Sequence, residues 1–339
     1  MKATAKAPAN IAFIKYWGKA DASLRLPANS SFSMNLSEAH TTTTVEFSVE
    51  YQQDIVELLL PNKPQNKTQG YTVTGFTENE QQRIRVHLDR IRSVSGISLR
   101  AKVVSRNSFP KGAGIASSAS GFAALTVASC AAAGLQESEK GLTILARLGS
   151  GSACRSIPDG FVLWEKGNSS DTSYAHSLFP HDYWDIRDIL LVTDSSMKKV
   201  STTDGHANVS TSPSWNKRLA GMEEKISLIV TAFKEKNFDD FGTILEEESL
   251  SMHRVMQTQI PPLIYWNETT RMIMDTVRVW RNTGLPVYFT IDAGPNVHLI
   301  CEGKDEGRIV EKVNQLSGIQ DVMINKPSAG ACLITTHLF

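Results

Sequence analysis

Apolar positions along the first half of the chain follow two periods, one typical of strands and one typical of helices. Runs of β-branched or apolar residues predict strands over 41–49, 54–60, 71–74, 97–105, 161–164 and 188–192. Thr77 and Glu80 have the spacing of a capping box, which predicts a helix from there to about Ser95. Ala-, Ser- and Leu-rich periodic stretches predict two more helices, over 117–134 and 137–148.

The pattern changes character at 185–195, where long helical stretches become dominant. Helices are predicted over 214–235, 239–256 and 263–282, and another after Asp305. Strands are predicted over 286–291 and 297–302 and near Val322 and Leu333. We therefore predict an α+β protein with two domains, 1–190 and 191–339, the second with helices packed on a mostly antiparallel sheet.

Composition and charge indicate which classes of binding partner the protein is expected to have. The 339 residues carry 35 basic and 35 acidic side chains, so no global field attracts nucleic acid or an anionic membrane. The longest weakly polar stretch, 122–135, falls short of the ~20 apolar residues that a membrane span needs. The four cysteines are far apart, which predicts buried thiols of a reducing compartment. We expect a cytoplasmic protein that acts on a small molecule, without nucleic acid or membrane.

A Gly/Ser-rich stretch between a predicted strand and a predicted helix is the first candidate site. It contains Gly112, Gly114, Ser117 and Ser118. Small residues let backbone amides approach an anion, and a helix N-terminus adds positive partial charge. The stretch predicts a phosphate-binding loop, and the alternative is a tight turn with close helix packing. No GK[ST] sequence occurs, so it is not the Walker loop.

Two further segments carry candidate polar groups. Around a Trp-Gly turn lie Lys15, Tyr16 and Lys19, which either face an anionic ligand or form a solvated edge. A dispersed set consists of Ser150, Ser152, Arg155, Lys198, Lys199, Thr202, Thr203 and Asp292. Asp292 follows an apolar strand before a Gly-Pro turn, where an aspartate either forms the turn or points into a cleft. The histidines show no metal-binding spacing, so no protein-ligated metal is expected.

Taken together, NIAFIKYWGK, PKGAGIASSASGFAAL, GSGSACRSI, KKVS and FTIDAGPNV resemble the diphosphomevalonate decarboxylases in order and spacing. That family belongs to the GHMP kinase superfamily, and the resemblance runs from about residue 6 to about residue 335. It implies a ribosomal protein S5 domain 2-like N-terminal domain that binds ATP and a ferredoxin-like C-terminal domain. It also implies ATP and Mg²⁺ as co-reactants, an isoprenoid pathway and a homodimer.

The resemblance also implies roles for individual residues. Asp292 corresponds to the catalytic aspartate beside the substrate 3-hydroxyl, and Arg155 to an arginine that contacts substrate. The implied substrate-binding set further includes Tyr16, Lys19, Ser150, Ser152, Thr202 and Thr203. The implied ATP-binding set is Gly112, Gly114, Ser117, Ser118 and Lys198, with Lys199 in the catalytic set. Mg²⁺ is expected to come with ATP, with Ser118 as a candidate contact.

One departure from the family pattern bears on the substrate. After KKVS the family typically continues with a serine and an arginine that grips the diphosphate, whereas this chain has Thr202 and Thr203. The lost charge favours 5-phosphomevalonate as substrate, giving isopentenyl phosphate. The alternative is 5-diphosphomevalonate, giving isopentenyl diphosphate, and lesser alternatives are a mevalonate 3-kinase and a non-catalytic sensor.

Overall fold

A computed structural model describes residues 1–61, 71–109, 117–194 and 205–339 of the chain. Its strands are β1 (Lys2–Ile14), β2 (Lys19–Asp21), β3 (Leu26–Pro27), β4 (Ser31–Ser48), β5 (Ile55–Pro61), β6 (Tyr71–Gly75), β7 (Arg100–Asn107), β8 (Phe161–Trp164), β9 (Ala175–Phe179), β10 (Ile186–Val192), β11 (Tyr288–Thr290), β12 (Val297–Glu302), β13 (Asp321–Asn325) and β14 (Cys332–Ile334). Its α-helices are α1 (Glu78–Ser95), α2 (Ser117–Ala132), α3 (Glu139–Gly149), α4 (Trp215–Ala220), α5 (Met222–Lys234), α6 (Phe238–Thr258), α7 (Glu268–Asn282) and α8 (Glu306–Val313).

The strands form two larger sheets and one short hairpin. The first sheet has the order β14-β1-β4-β7-β5-β6, with β8 and β9 joined to it through β4. The second has the order β11-β12-β10-β13 and is antiparallel throughout, as predicted for the second half. The hairpin is β2–β3, directly after the end of β1. The two sheets and their helices give the predicted α+β layout.

Local sequence explains the two helices nearest the Gly/Ser-rich stretch. The predicted capping box is present: Thr77 accepts from Glu80 N, and Glu80 accepts from Thr77 N at 2.8 Å. Helix α2 is buried around most of its surface, because small residues such as Ala123 and Ala128 let it lie directly on β1 and β4. The N-terminal end of α2 is thereby fixed against the first sheet.

A shared apolar core joins the two halves of the chain. Phe13 on β1 lies 5.0 Å from Phe241 on α6 and 6.5 Å from Phe233 on α5, measured between ring centroids. Phe32 on β4 lies 5.3 Å from Phe233. Because these rings pack across the boundary, the end of β1 is held against α5 and α6.

The structure corrects some predicted elements. The helix predicted over 214–235 is two helices, α4 and α5, separated at Gly221. Strand β4 begins at Ser31, ten residues before its predicted start, and α7 begins only at Glu268, after the Asn267 cap. Cys332 is exposed, so the prediction of four buried thiols is wrong for it.

Two further predictions about layout concern the domain limits and membrane-spanning segments. Strand β10 spans the predicted boundary at 190/191, and β14 returns to the first sheet, so the domain limits stay a prediction. None of the helices within the described ranges is both long and apolar enough to cross a bilayer.

Candidate active site

The end of β1 meets the end of β11 at an ion pair. Lys15 directly follows β1, and Asp292 lies two residues after β11. Lys15 Nζ donates to Asp292 Oδ1 at 2.6 Å. The lysine side chain is 2% exposed and the aspartate side chain 27% exposed, so Asp292 is the member of the pair that a ligand can reach.

Opposing effects set the charge state of this pair. Burial raises the pKa of Asp292, but the nearby cations, Lys15 above all, lower it to about 2. Burial lowers the pKa of Lys15, and Asp292 acts in the opposite direction. The pair therefore presents a fixed carboxylate, ionised at neutral pH and backed by a cation.

A buried network of hydrogen bonds and ion pairs fixes the backbone of Lys15. Its backbone N–H donates to Glu248 Oε1 at 3.4 Å, and its carbonyl accepts from Arg218 Nη2 at 3.2 Å. Arg218 also pairs with Glu248, and Lys225 Nζ lies 3.1 Å from Glu248 Oε2. The Glu248 side chain is fully buried. Helices α4, α5 and α6 thus fix the backbone from which Lys15 projects.

Helix α6 also fixes the backbone next to Asp292. Ile291 N donates to Ser249 Oγ at 2.9 Å, and Ile291 O lies 3.2 Å from His253 Nε2. Burial lowers the pKa of His253 to about 4, so its neutral ring donates from Nε2 to this carbonyl. Gly294 N donates to Asp292 O at 2.7 Å and closes the turn. The aspartate position is therefore set by backbone contacts on both sides.

Arg155 lies on the 3₁₀ helix Gly151–Ser156 and is 4% exposed. Its Nε and Nη2 donate to Asn10 Oδ1 at 3.2 and 3.1 Å, and its Nη1 donates to Ser31 Oγ at 2.9 Å. Asn10 is oriented by its own donation to Ser156 Oγ at 2.8 Å. All of these partners are neutral, and burying a charge is costly unless it is paired. The arrangement favours binding of an anionic group beside Arg155.

Tyr16 packs into the same region. Its ring centroid lies 4.6 Å from that of Trp164 and 4.7 Å from that of His206. A Cβ atom on Gly151 would lie 2.7 Å from Tyr16 Cε1, so only glycine allows this approach. Burial raises the pKa of Tyr16, and the phenol therefore stays protonated and can donate a hydrogen bond.

His206 ties the Trp-Gly turn to the second half of the chain. Its Nδ1 accepts from Gly18 N at 2.8 Å, and its ring centroid lies 4.4 Å from that of Trp17. Burial lowers the pKa of His206 to about 3, so the ring is neutral and its Nδ1 stays an acceptor. Gly18 has φ +92°, a conformation that glycine adopts without penalty.

An open groove lies at the start of α2. Ser117 and Ser118 line it together with Phe122, and α1 adds Arg83, whose guanidinium lies 4.9 Å from the centre of the Phe122 ring. Ser150 Oγ donates to Ser118 Oγ at 3.2 Å. An apolar groove that ends in hydroxyls at a helix N-terminus fits a nucleotide, and hydroxyl oxygens also fit its Mg²⁺.

The remaining predicted site residues divide into two sets. Lys19 lies half-buried on β2, and the Ser152 carbonyl accepts from Asn10 Nδ2 at 3.2 Å. Outside the described residues are Gly112, Gly114, Lys198, Lys199, Thr202 and Thr203. Their roles stay predictions. Within the described ranges no group of three or more His, Cys, Asp or Glu side chains is placed to hold a metal.

Five residues that position Asp292 and Arg155 were not among the candidates from the sequence: Asn10, Ser31, Glu248, Ser249 and His253. Lys15 was a candidate contact to an anionic ligand, but its pairing with Asp292 was not predicted. Lys15 gave a usable signal, because a lysine at the end of an apolar strand is rarely buried without an anionic partner. Glu248 and His253 lie on an amphipathic helix, and nothing in the local sequence marks them as site residues.

Comparisons with known families cover most of the chain. Residues 7–175 match the diphosphomevalonate decarboxylase-like N-terminal domain, and residues 189–331 match the mevalonate 5-diphosphate decarboxylase C-terminal domain. A diphosphomevalonate decarboxylase of Aspergillus fumigatus is 37% identical over 94% of this chain and 81% of its own length. One of Saccharomyces cerevisiae is 33% identical over 93% and 82%.

Solved structures are similar along the whole length. Mevalonate diphosphate decarboxylase from Staphylococcus aureus has a TM-score of 0.89 at 35% identity, covering 98% of each chain. The Enterococcus faecalis enzyme, described with mevalonate diphosphate-mediated ATP binding, has a TM-score of 0.88 at 35% identity, covering 99% of each chain. A structure described as MDDEF with MVAPP, AMPPCP and magnesium has a TM-score of 0.89. The predicted α+β, two-domain GHMP kinase fold is confirmed.

Proposed function

The chain belongs to the diphosphomevalonate decarboxylase family, and we propose on that basis that it decarboxylates 5-diphosphomevalonate. The reaction consumes ATP with Mg²⁺ and yields isopentenyl diphosphate, ADP, phosphate and CO₂. The observation that carries the proposal is the Lys15–Asp292 pair, whose reachable carboxylate lies near the buried Arg155.

The substrate proposal departs from the one that the sequence favoured. Thr203 in place of an arginine predicted the 5-monophosphate, with the 5-diphosphate as alternative. The relatives reported above are named for the diphosphate, and that supports the alternative. Thr202 and Thr203 lie outside the described residues, so the prediction drawn from them has no structural support.

Asp292 acts at the 3-hydroxyl of the substrate. Its carboxylate accepts a hydrogen bond from the hydroxyl and takes the proton as the oxygen bonds to the γ-phosphorus of ATP and the bond to ADP breaks. The C3–O bond then breaks with phosphate as leaving group. The C1–C2 bonding pair becomes the C2–C3 double bond, and CO₂ leaves. Asp292 passes its proton to the departing phosphate, and the carboxylate so regenerated stabilises the positive charge that develops at C3.

Lys15 and Arg155 have different roles: Lys15 acts on the catalytic carboxylate, and Arg155 acts on an anionic group of the substrate. Lys15 keeps Asp292 ionised and fixes which oxygen faces the substrate. Arg155 offers a planar set of donors that can form a fork with a carboxylate or phosphate. Tyr16, held between aromatic rings, adds a neutral donor at the same place.

The N-terminal end of α2 is the proposed place of the ATP phosphates. Ser117 and Ser118 place hydroxyls in the groove at this helix end, and the groove is the proposed place of the base. Mg²⁺ bound with ATP neutralises phosphate charge and keeps the transferred group in line. Ser118 and Ser150 are the described hydroxyls proposed to contact the phosphates or this ion.

A turnover assay on three substrates tests the proposed function. Mevalonate, its 5-phosphate and its 5-diphosphate are incubated with ATP and Mg²⁺ while ADP and CO₂ are measured separately. We expect equimolar ADP and CO₂ from the 5-diphosphate, with the highest kcat/KM of the three. ADP without CO₂ indicates a 3-kinase, neither product indicates a sensor, and preference for the 5-phosphate restores the prediction from Thr203.

Two expectations from the sequence stay predictions. The homodimer implied by the resemblance is tested by sedimentation of the purified protein. The cytoplasmic location is tested by fractionation of cells that express the full chain.

A further inference from the structure

The β2–β3 hairpin carries an arginine beside the proposed substrate site. Arg25 Nε donates to the Leu148 carbonyl at 3.0 Å. Three residues after Leu148 lies Gly151, whose Cα faces the Tyr16 ring so closely that a Cβ would lie 2.7 Å from it. Arg25 and Tyr16 therefore flank the same short segment, 148–151, which leads into the helix that carries Arg155.

The backbone at Arg25 is unusual for an arginine. Its φ is +51°, in the left-handed region where glycine and asparagine are favoured. Non-glycine residues with this backbone conformation are enriched at ligand-binding sites. There the need for a particular side chain outweighs the backbone strain.

The charge of Arg25 has no counter-charge in the described part of the chain. Its Nε has an acceptor, but neither Nη group donates to a described residue, and no described carboxylate lies within 4.0 Å. Lys15, by contrast, is paired with Asp292. The Arg25 charge acts electrostatically on Tyr16. Burial raises the pKa of Tyr16, and the positive charge of Arg25 opposes this rise.

We propose that Arg25 is a specificity-determining residue that supplies the cation for the terminal phosphate of a 5-diphosphate substrate. This inference rests on the proposed function and deepens it. A diphosphate brings one phosphoryl group more than a monophosphate, and burying that added negative charge requires a partner. Lys15 is already neutralised and Arg155 is held by Asn10 and Ser31, whereas Arg25 has two Nη groups to offer.

The test compares Arg25→Gln with the unmodified chain on the two phosphorylated substrates. Glutamine can still donate to the Leu148 carbonyl and strains the backbone in the same way, but it has no charge. Loss of one charge-assisted contact is expected to lower kcat/KM for the 5-diphosphate about 10–100-fold. Turnover of the 5-monophosphate is expected to change less than about threefold.

Two further variants separate charge from structure. Arg25→Lys keeps the charge and is expected to restore most of the preference for the 5-diphosphate. Lys236→Gln is the matched control, because Lys236 also has a positive φ of 54° but lies over the Tyr183 ring, away from the cleft. It is expected to leave the ratio of the two kcat/KM values unchanged.

Calorimetric titration of the ATP-free protein with 5-diphosphomevalonate makes the test independent of turnover. We expect the Kd to rise at least tenfold in Arg25→Gln. An unchanged Kd, or equal loss with both substrates, overturns the role of Arg25 and leaves the proposed function intact. If the unmodified protein releases no CO₂ from the 5-diphosphate, the proposed function fails, while the titration still decides whether Arg25 binds the diphosphate.

Discussion

Cations are neutralised differently on the two sides of the Lys15–Asp292 pair. On the side built by α4, α5 and α6, Arg218 and Lys225 share the carboxylate of Glu248. Around segment 148–155, the hydrogen-bond acceptors of Arg155 within the described ranges are amide and hydroxyl oxygens, and the acceptor of Arg25 is the Leu148 carbonyl. On the first side each of these cations is paired with a carboxylate in the folded chain. On the second side no carboxylate of a described residue is hydrogen-bonded to either arginine. This is the charge arrangement that the proposed site for a phosphorylated substrate requires.

The Lys15–Asp292 pair joins these two regions. Lys15 comes from the strand that borders the Arg155 side, and its backbone is bound by Glu248 and Arg218. The paired side therefore serves stability and positioning, and the unpaired side serves ligand binding. Substitutions should separate these two roles, since they affect different measured quantities.

The largest expected effect is on chemistry, from Asp292→Asn. The amide is nearly isosteric but accepts no proton and carries no charge, so kcat should fall about 10²–10⁴-fold. The ATP Kd should be unchanged, because the proposed ATP site is at α2. CO₂ release under saturating substrate measures the first quantity and calorimetry the second. A loss of less than tenfold in kcat contradicts the role assigned to Asp292.

On the paired side, Glu248→Gln should affect stability most. It leaves Arg218 and Lys225 without their counter-charge, and breaking a buried pair typically costs about 3–5 kcal/mol. Urea unfolding at neutral pH measures this loss. A change below about 1 kcal/mol, the usual range for an exposed pair, contradicts the stabilising role assigned to Glu248 as the shared partner of both cations.

On the unpaired side, Arg155→Gln should give the opposite result. Removal of a buried cation that has only neutral partners should leave the free energy of unfolding of the ligand-free protein within about 1 kcal/mol of its original value. The kcat/KM should nevertheless fall about 10–100-fold or more, because a charge-assisted fork to the substrate is lost. Matched urea and turnover measurements with Glu248→Gln decide whether the two sides differ. Equal destabilisation by both variants removes the distinction.

Local patterns were sufficient for most elements but not for their exact limits. The Thr77–Glu80 capping box located the start of α1 because its two partners are only three positions apart in sequence. The helix predicted over 214–235 is interrupted at Gly221, because apolar periodicity continues through a glycine that ends one helix and begins the next. Local periodicity does not record such breaks.

The candidate site was predictable only where chemistry is local. Asp292 and Arg155 stand in recognisable segments, and the structure places each beside a charged or polar partner. The partner of Asp292 is Lys15, 277 positions away, and the support from Glu248 depends on how α6 packs against β1. These contacts follow from the tertiary fold, so hydrophobic periodicity and spacing could not reveal them.

The smallest expected effect is that of replacing His206. Its neutral ring adds no further positive charge to the side that contains Arg25 and Arg155. In His206→Phe the Gly18 N–H loses its acceptor while the ring stacking is retained, so at pH 7.5 the variant should be less stable by about 1–3 kcal/mol. Burial lowers the His206 pKa to about 3, below the ~6.5 of an unfolded chain, so the unfolded state binds the proton first as pH falls. The unmodified protein therefore loses stability through this group below about pH 6.5, by up to about 1.4 kcal/mol at pH 5.5, whereas the variant does not. Urea unfolding of both proteins at pH 7.5 and 5.5 should show the difference shrinking at the lower pH. A difference that stays constant or grows contradicts a neutral, accepting His206.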